Sequence, residues 1–230
     1  MLTGLYGAAS AMGVQAERQD VIARNLAHVN VPGFKRMLLG LETKSTGDPD
    51  MMRPSGATQV DFSQGQMEST GRKLDLAISG EGFFVFEGPD GDVYSRNGVL
   101  TRNQAGTLVN ASGYPLKNSP RIPDNVAESD ITVTPQGQMF ANGQLLGRVE
   151  VVAFPDNSVL KPVGTTFYAA PDGVVPDEAE STIQQGVKER SNVSSVVEMV
   201  QMLAGMRHHE ASARSMQLLF EALQKHTTAG

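Results

Sequence analysis

The sequence predicts an α+β fold. Long N- and C-terminal helices form a coiled-coil-like domain, and the centre of the chain is an antiparallel β-rich domain. Three observations predict it. All twelve prolines lie between Pro32 and Pro176; proline breaks helices, so its absence from both ends permits long helices there. The centre alternates turn signals with short apolar runs. Both ends carry apolar residues at alternating spacings of three and four, the period of one helix face.

The N-terminal stripe runs Leu2, Leu5, Ala9, Met12, Ala16, Gln19, Ala23 and Leu26, an a/d seam with one polar member. Val31 precedes Pro32, which disfavours helical backbone, so the helix should end near there. The β-rich centre is punctuated by Gly88-Pro89-Asp90-Gly91, Asn103-Gln104-Ala105-Gly106, Asn110-Ala111-Ser112-Gly113 and Asn142-Gly143. Between these lie Leu74–Ile78, Phe83–Phe86 and Val149–Phe154, which read as antiparallel strands. Asp75, between Leu74 and Leu76, should face away from them toward solvent or a loop donor. The C-terminal stripe runs Val196, Met199, Met202, Met206, His209, Ala213, Met216, Phe220 and Leu223. Ser195 and Glu198 have capping-box spacing. Narrow seams at both ends favour helix-on-helix packing, first with the other end of the same chain and then with other subunits. The expected domains are a terminal helical assembly domain (1–36 and 187–230), a connecting segment (37–64) and a β-rich domain (65–186).

Composition excludes several kinds of function. The 230-residue chain has no cysteine, so it has no disulfide, thiolate nucleophile or cysteine-bound metal. A net charge of −6 argues against nucleic-acid binding, and no apolar run reaches the length of a membrane span, so no membrane insertion is expected. The segment MLTGLYGAASAM shows no secretory signal pattern. The four histidines, His28, His208, His209 and His226, all lie on or beside the terminal stripes. His208 and His209 are adjacent, and on a helix they diverge by about 100°, which suits surface residues better than a metal site. No nucleophile elbow or phosphate loop occurs. The sequence therefore implies no enzyme, no cofactor and no metal.

Three blocks resemble the flagellar basal-body rod and hook proteins of bacteria. Asn25-Leu26-Ala27-His28-Val29-Asn30-Val31-Pro32-Gly33-Phe34-Lys35 is similar to the family's N-L-A-N-x-x-T-x-G-F-K signature, with His28 in place of asparagine and Val31 in place of threonine. Gln64-Gly65 and Thr70–Val85, continuing through Tyr94–Gly98, Gly106–Val109 and Gly113-Tyr114-Pro115, resemble a second block. Gln185-Gly186, Ser191-Asn192-Val193 and Glu198–Leu203 resemble the family's Q-G-x-x-E-x-S-N-V block and the helix after it. Together the blocks cover roughly half the chain, in the family's order.

The resemblance implies a structural subunit of the rod, assembling with itself and with other rod and hook proteins into a hollow shaft that transmits torque to the hook. It implies passage through the flagellar type III export apparatus without a cleaved signal, and residence in the periplasm-spanning rod. Only about thirty residues separate Phe34 from Gln64, fewer than distal-rod and hook proteins of the family usually carry there, which leans toward a proximal-rod type. A distal-rod or hook subunit is the alternative, and from other classes a β-scaffold enzyme or a stand-alone binding module. The candidate assembly interface is Leu5, Ala9, Met12, Ala16, Ala23, Asn25, Leu26, Gly33, Phe34, Asn192, Val196, Met199, Met202, Met206, Ala213, Met216 and Phe220. Gly33 should supply a tight turn and Phe34 an anchor. Lys35 and Arg36 read as solvated charges. Flexible methionines in the C-terminal stripe suit non-identical neighbours.

Overall fold

The computed structural model describes residues 2–45 and 52–228, with side chains described for residues 12–40 and 58–217. The chain begins with α1 (Leu2–Ala27), followed by β1 (Met37–Ser45), β2 (Met52–Val60), β3 (Met67–Ser69), β4 (Leu76–Ser79), β5 (Phe83–Gly88), β6 (Gly91–Ser95), β7 (Thr101–Arg102) and β8 (Leu108–Val109). It continues with β9 (Ile131–Val133), β10 (Gln138–Ala141), β11 (Gln144–Arg148), β12 (Val151–Ala153), β13 (Lys161–Pro162), β14 (Phe167–Ala169), β15 (Asp177–Glu178), β16 (Thr182–Gln185) and β17 (Val187–Glu189), and closes with α2 (Ser195–Thr228). Among the described residues the strand pairings are all antiparallel.

This corrects the predicted α+β class. The protein is mostly β-sheet, with two α-helices at its ends, and the helices do not form a coiled-coil-like domain. The physical reason lies in what α1 packs against. Its most buried side chains are Val21, Ile22 and Asn25, while the seam residues Ala16 and Ala23 are exposed. β1 and β2 pair in continuous register from Met37 opposite Val60 to Ser45 opposite Met52. This hairpin packs on α1 as α2 does, and Asn25 ties α1 to it through the Met37 main chain, so α1 is shared between a helix and a hairpin and is not one half of a two-helix seam.

The chain divides into two compact units. The first contains residues 1–27, 37–61 and 193–230; the second contains residues 28–36 and 62–192. In the first unit α1 packs on α2, and among the described side chains small and polar groups lie at one point of that contact. Gln19 Nε2 donates to the Met202 carbonyl at 3.2 Å. Gly205 is buried, and a Cβ on it would run into the side-chain amides of Gln15 and Gln19. Those amides are the ends of flexible side chains, so a larger residue at 205 would displace them and the Gln19 bond to Met202.

In the second unit a six-stranded sheet has the order β13-β14-β6-β5-β12-β15, and a three-stranded sheet the order β11-β10-β9. β5 explains why Phe83–Phe86 is a continuous apolar run. Successive side chains point to opposite faces of a strand, and both faces of β5 are covered. Phe84 and Phe86 join the main core with Leu76, Ile78, Leu108 and Ile131. Phe83 points into an aromatic layer and meets Phe62, Phe154 and Tyr168 edge-on at centroid distances of 5.5 to 6.2 Å. The turns at Asn103 and Asn110 share one mechanism. Asn103 Oδ1 accepts from the amides of Ala105 and Thr107, and Asn110 Oδ1 from those of Ser112 and Tyr114. Asp75 is buried and accepts a hydrogen bond from Thr70 Oγ1 at 2.7 Å, so the loop donor holds it and solvent does not.

Candidate assembly surface

The first turns of α2 carry a feature uncommon on a folded chain. Val196, Met199, Val200, Leu203 and Met206 are all more than half exposed, from 52 % at Met199 to 69 % at Val196. Their spacing places them on one helical face. The side of α2 turned inward carries Glu198, Met202 and Gly205 instead; Glu198 and Gly205 are buried and Met202 is half-buried. Scattered exposed apolar side chains are ordinary, but a contiguous stripe marks an interaction surface.

The other candidate residues fall into separate groups. Met12, Leu26, Ala213 and Met216 are half-buried in the first unit, and Ala16 and Ala23 are exposed. Leu5, Ala9 and Phe220 lie outside the residues whose side chains are described. Asn25 is buried and clamps the start of β1: its Nδ2 donates to the Met37 carbonyl at 2.8 Å, and its Oδ1 accepts from the Met37 amide at 2.8 Å. A primary amide presents donor and acceptor side by side, so it can satisfy both main-chain groups of one residue.

Gly33, Phe34 and Asn192 lie in the second unit, around a buried charge cluster that the sequence did not reveal. Gly33 has φ +69° and its amide donates to the Glu189 carbonyl at 2.8 Å. A Cβ there would clash with the main chain of Asn97. Phe34 is buried against the His28 ring at 5.0 Å. Asn192 Oδ1 accepts from the Arg36 amide at 2.7 Å, and its Nδ2 donates to Ser63.

Lys35 corrects the solvated reading of this segment. Its side chain and that of Glu189 are fully buried, with Nζ to Oε1 at 2.6 Å. Nζ also donates to the Ser63 carbonyl at 2.7 Å, and Glu189 Oε1 accepts from the Gly65 amide at 2.8 Å. Arg96 Nη1 lies 3.7 Å from Glu189 Oε2, within ion-pair reach but too long for a hydrogen bond. The guanidinium also donates to the Gly80 carbonyl and sits over the Phe83 ring. Burial pulls Arg96 below its ordinary value, and the Glu189 carboxylate opposes the shift. Burial, reinforced by Glu189, raises the Tyr168 phenol. Arg36 is half-buried, and its amide is fixed by Asn192. These groups hold one another in place. Among the described residues no cluster of three metal-ligating side chains occurs.

Comparison with known proteins places the chain among the flagellar axial structural proteins. Residues 5–35 match the family model "Flagella basal body rod protein". Residues 77–141 match "Flagellar hook protein FlgE/F/G D1 domain", and residues 184–228 match "Flagellar basal body rod FlgEFG protein C-terminal". Flagellar basal-body rod protein FlgG of Borreliella burgdorferi is 30 % identical, over 94 % of each chain. FlgG of Agrobacterium fabrum is 31 % identical, over 90 % of this chain and 91 % of its own. Flagellar basal-body rod protein FlgF of Caulobacter vibrioides is 29 % identical, over 94 % of this chain and 93 % of its own. The chain belongs to the flagellar basal-body rod protein family. It is a structural subunit of the rod and not an enzyme, and it works in assembly with other rod and hook proteins.

Proposed function

We propose that the outward face of α2 is where this rod subunit meets the helices of neighbouring subunits, its own copies and other rod or hook proteins. The resulting helical array is a hollow shaft that passes torque to the hook across the periplasm. One observation carries the proposal: the stripe Val196, Met199, Val200, Leu203 and Met206 is apolar, contiguous and uncovered. Covering each half-exposed side chain contributes on the order of 1 kcal/mol. Association costs roughly 4–15 kcal/mol in lost freedom. A single pairwise contact through this stripe is therefore weak, and stable packing needs several neighbours at once, as in a helical array. Heterologous contacts of this kind propagate as an open helix when the rotation between subunits does not close. Passage through the flagellar export apparatus without a cleaved signal completes the reading. It rests on family membership.

Leu203→Asp tests the proposal, because it places a charge at the middle of the stripe. The variant keeps the wild-type far-ultraviolet circular dichroism and melting temperature, and it fails to restore motility to a cell lacking the wild-type protein. Normal motility with Leu203→Asp would remove α2 from the interface. Limited proteolysis gives a second reading: α2 is cut in the free protein and protected after assembly.

A further inference from the structure

The stripe contains the only two methionines that are exposed among the described side chains. Met199 is 52 % and Met206 is 54 % exposed. Met37 and Met139 are buried, and Met12, Met67, Met202 and Met216 are half-buried. Met199 and Met206 are seven residues apart, two helical turns, and so lie on one face about 10 Å from each other. Val200 and Leu203 lie between them on that face. The chain has no cysteine, so no thiol competes for a soft oxidant.

We propose that Met199 and Met206 are oxidation sites, and that their conversion to sulfoxides by peroxide blocks assembly of the subunit. The inference rests on the assembly reading of α2. The reaction needs only hydrogen peroxide as co-reactant. A sulfur lone pair attacks one peroxide oxygen, an S–O bond forms and the O–O bond breaks. The other oxygen takes up the proton and leaves as water. Sulfur gives up two electrons and peroxide accepts them.

The product is polar, with a strong acceptor oxygen where the stripe offers only carbon and sulfur. In the free subunit that oxygen faces water, so the fold tolerates it. Against a neighbour's apolar helix it would be buried without a donor. Each such group weakens association roughly tenfold, and both sit on every copy. The same geometry confines the vulnerability to free subunits, because a packed stripe leaves peroxide no path to either sulfur. The lesion is reversible by methionine sulfoxide reductases.

The test uses the full-length protein. Dilute subunits are treated with hydrogen peroxide, and oxidation at each methionine is followed by peptide mass spectrometry. Met199 and Met206 are expected to react on the order of tenfold faster than Met37 and Met139. The oxidised protein should keep its circular dichroism and melting temperature. The concentration at which it begins to pellet on ultracentrifugation should rise tenfold or more. Treatment with reductases for both sulfoxide epimers plus a thiol should restore it. The double variant Met199→Leu/Met206→Leu keeps the stripe apolar, so it should assemble with or without peroxide. Equal reactivity at the exposed and buried methionines would overturn the proposal. So would doubly oxidised protein that pellets at the unmodified concentration. Leu203→Asp separates the two readings. If it assembles normally, the assembly face itself is wrong and the inference falls with it. If it does not assemble while the sulfoxide form does, only the oxidation proposal fails.

Discussion

Lys35→Met breaks the buried ion pair from one side. Methionine fills much of the lysine stem's volume, so the change removes charge and hydrogen bonds more than packing. It removes a 2.6 Å contact to Glu189 and a 2.7 Å bond to the Ser63 carbonyl. Glu189 stays fully buried. Its Oε1 keeps the Gly65 amide at 2.8 Å, and the nearest remaining cation is Arg96 at 3.7 Å. Removing one partner of a buried pair costs about 3–5 kcal/mol, because an uncompensated charge remains. Arg96 supplies partial compensation, which places the loss near the lower end, about 3 kcal/mol. For a chain of this size that is a fall of roughly 6–12 °C in melting temperature. Scanning calorimetry of the full chain reads it directly. Adding Glu189→Gln removes the stranded charge, so the double variant should lose at least about 1 kcal/mol less than the two single losses added together. A Lys35→Met protein that melts within 2 °C of wild type, roughly the effect of a surface substitution, would mean that the ammonium reaches water and that the pair is not buried.

Asn25→Ala removes both hydrogen bonds to the Met37 main chain. It leaves a buried amide and a buried carbonyl unsatisfied, so urea unfolding should report a loss of about 2–4 kcal/mol; a loss under about 0.5 kcal/mol would show that water replaces the clamp. Tyr168 should govern part of the alkaline limit. Its phenol is raised in the folded protein above the ordinary value of 10.0, so the folded state holds the proton more tightly than the unfolded chain does. That contribution is complete below pH 10 and is lost as pH rises through the folded value. Tyr168→Phe should flatten the fall in melting temperature between pH 9 and pH 11, and an unchanged slope would assign the fall to other groups.

The three family blocks were legible because they are local. Asn25, Gly33, Phe34, Asn192 and Glu198 all stand inside them. What each residue does was less legible. Lys35 beside Arg36 reads as a solvated charge run, because its partner Glu189 lies 154 residues away. No local pattern announces a pair at that separation. A polar residue between apolar ones was readable at Asp75, where a loop threonine five residues away supplies the donor. Long-range pairing decides the first case and local geometry decides the second.

The helical stripes show the same division. Periodicity reports which residues share a face: Val196, Met199 and Met206 are exposed together, while Met202, part of the same predicted stripe, is half-buried on the inward side. It says nothing of what covers that face. From sequence alone the a/d seam of α1 is the expected complement. In the folded chain α1 turns Val21, Ile22 and Asn25 to its buried side and leaves Ala16 and Ala23 exposed. Among the described side chains, Gln15 and Gln19 are the ones that meet α2 at Gly205 and the Met202 carbonyl. Polar amides against a glycine cannot cover an apolar stripe on the other side of the helix. The described part of α1 thus leaves this apolar face of α2 exposed, and that exposure is what the assembly proposal rests on.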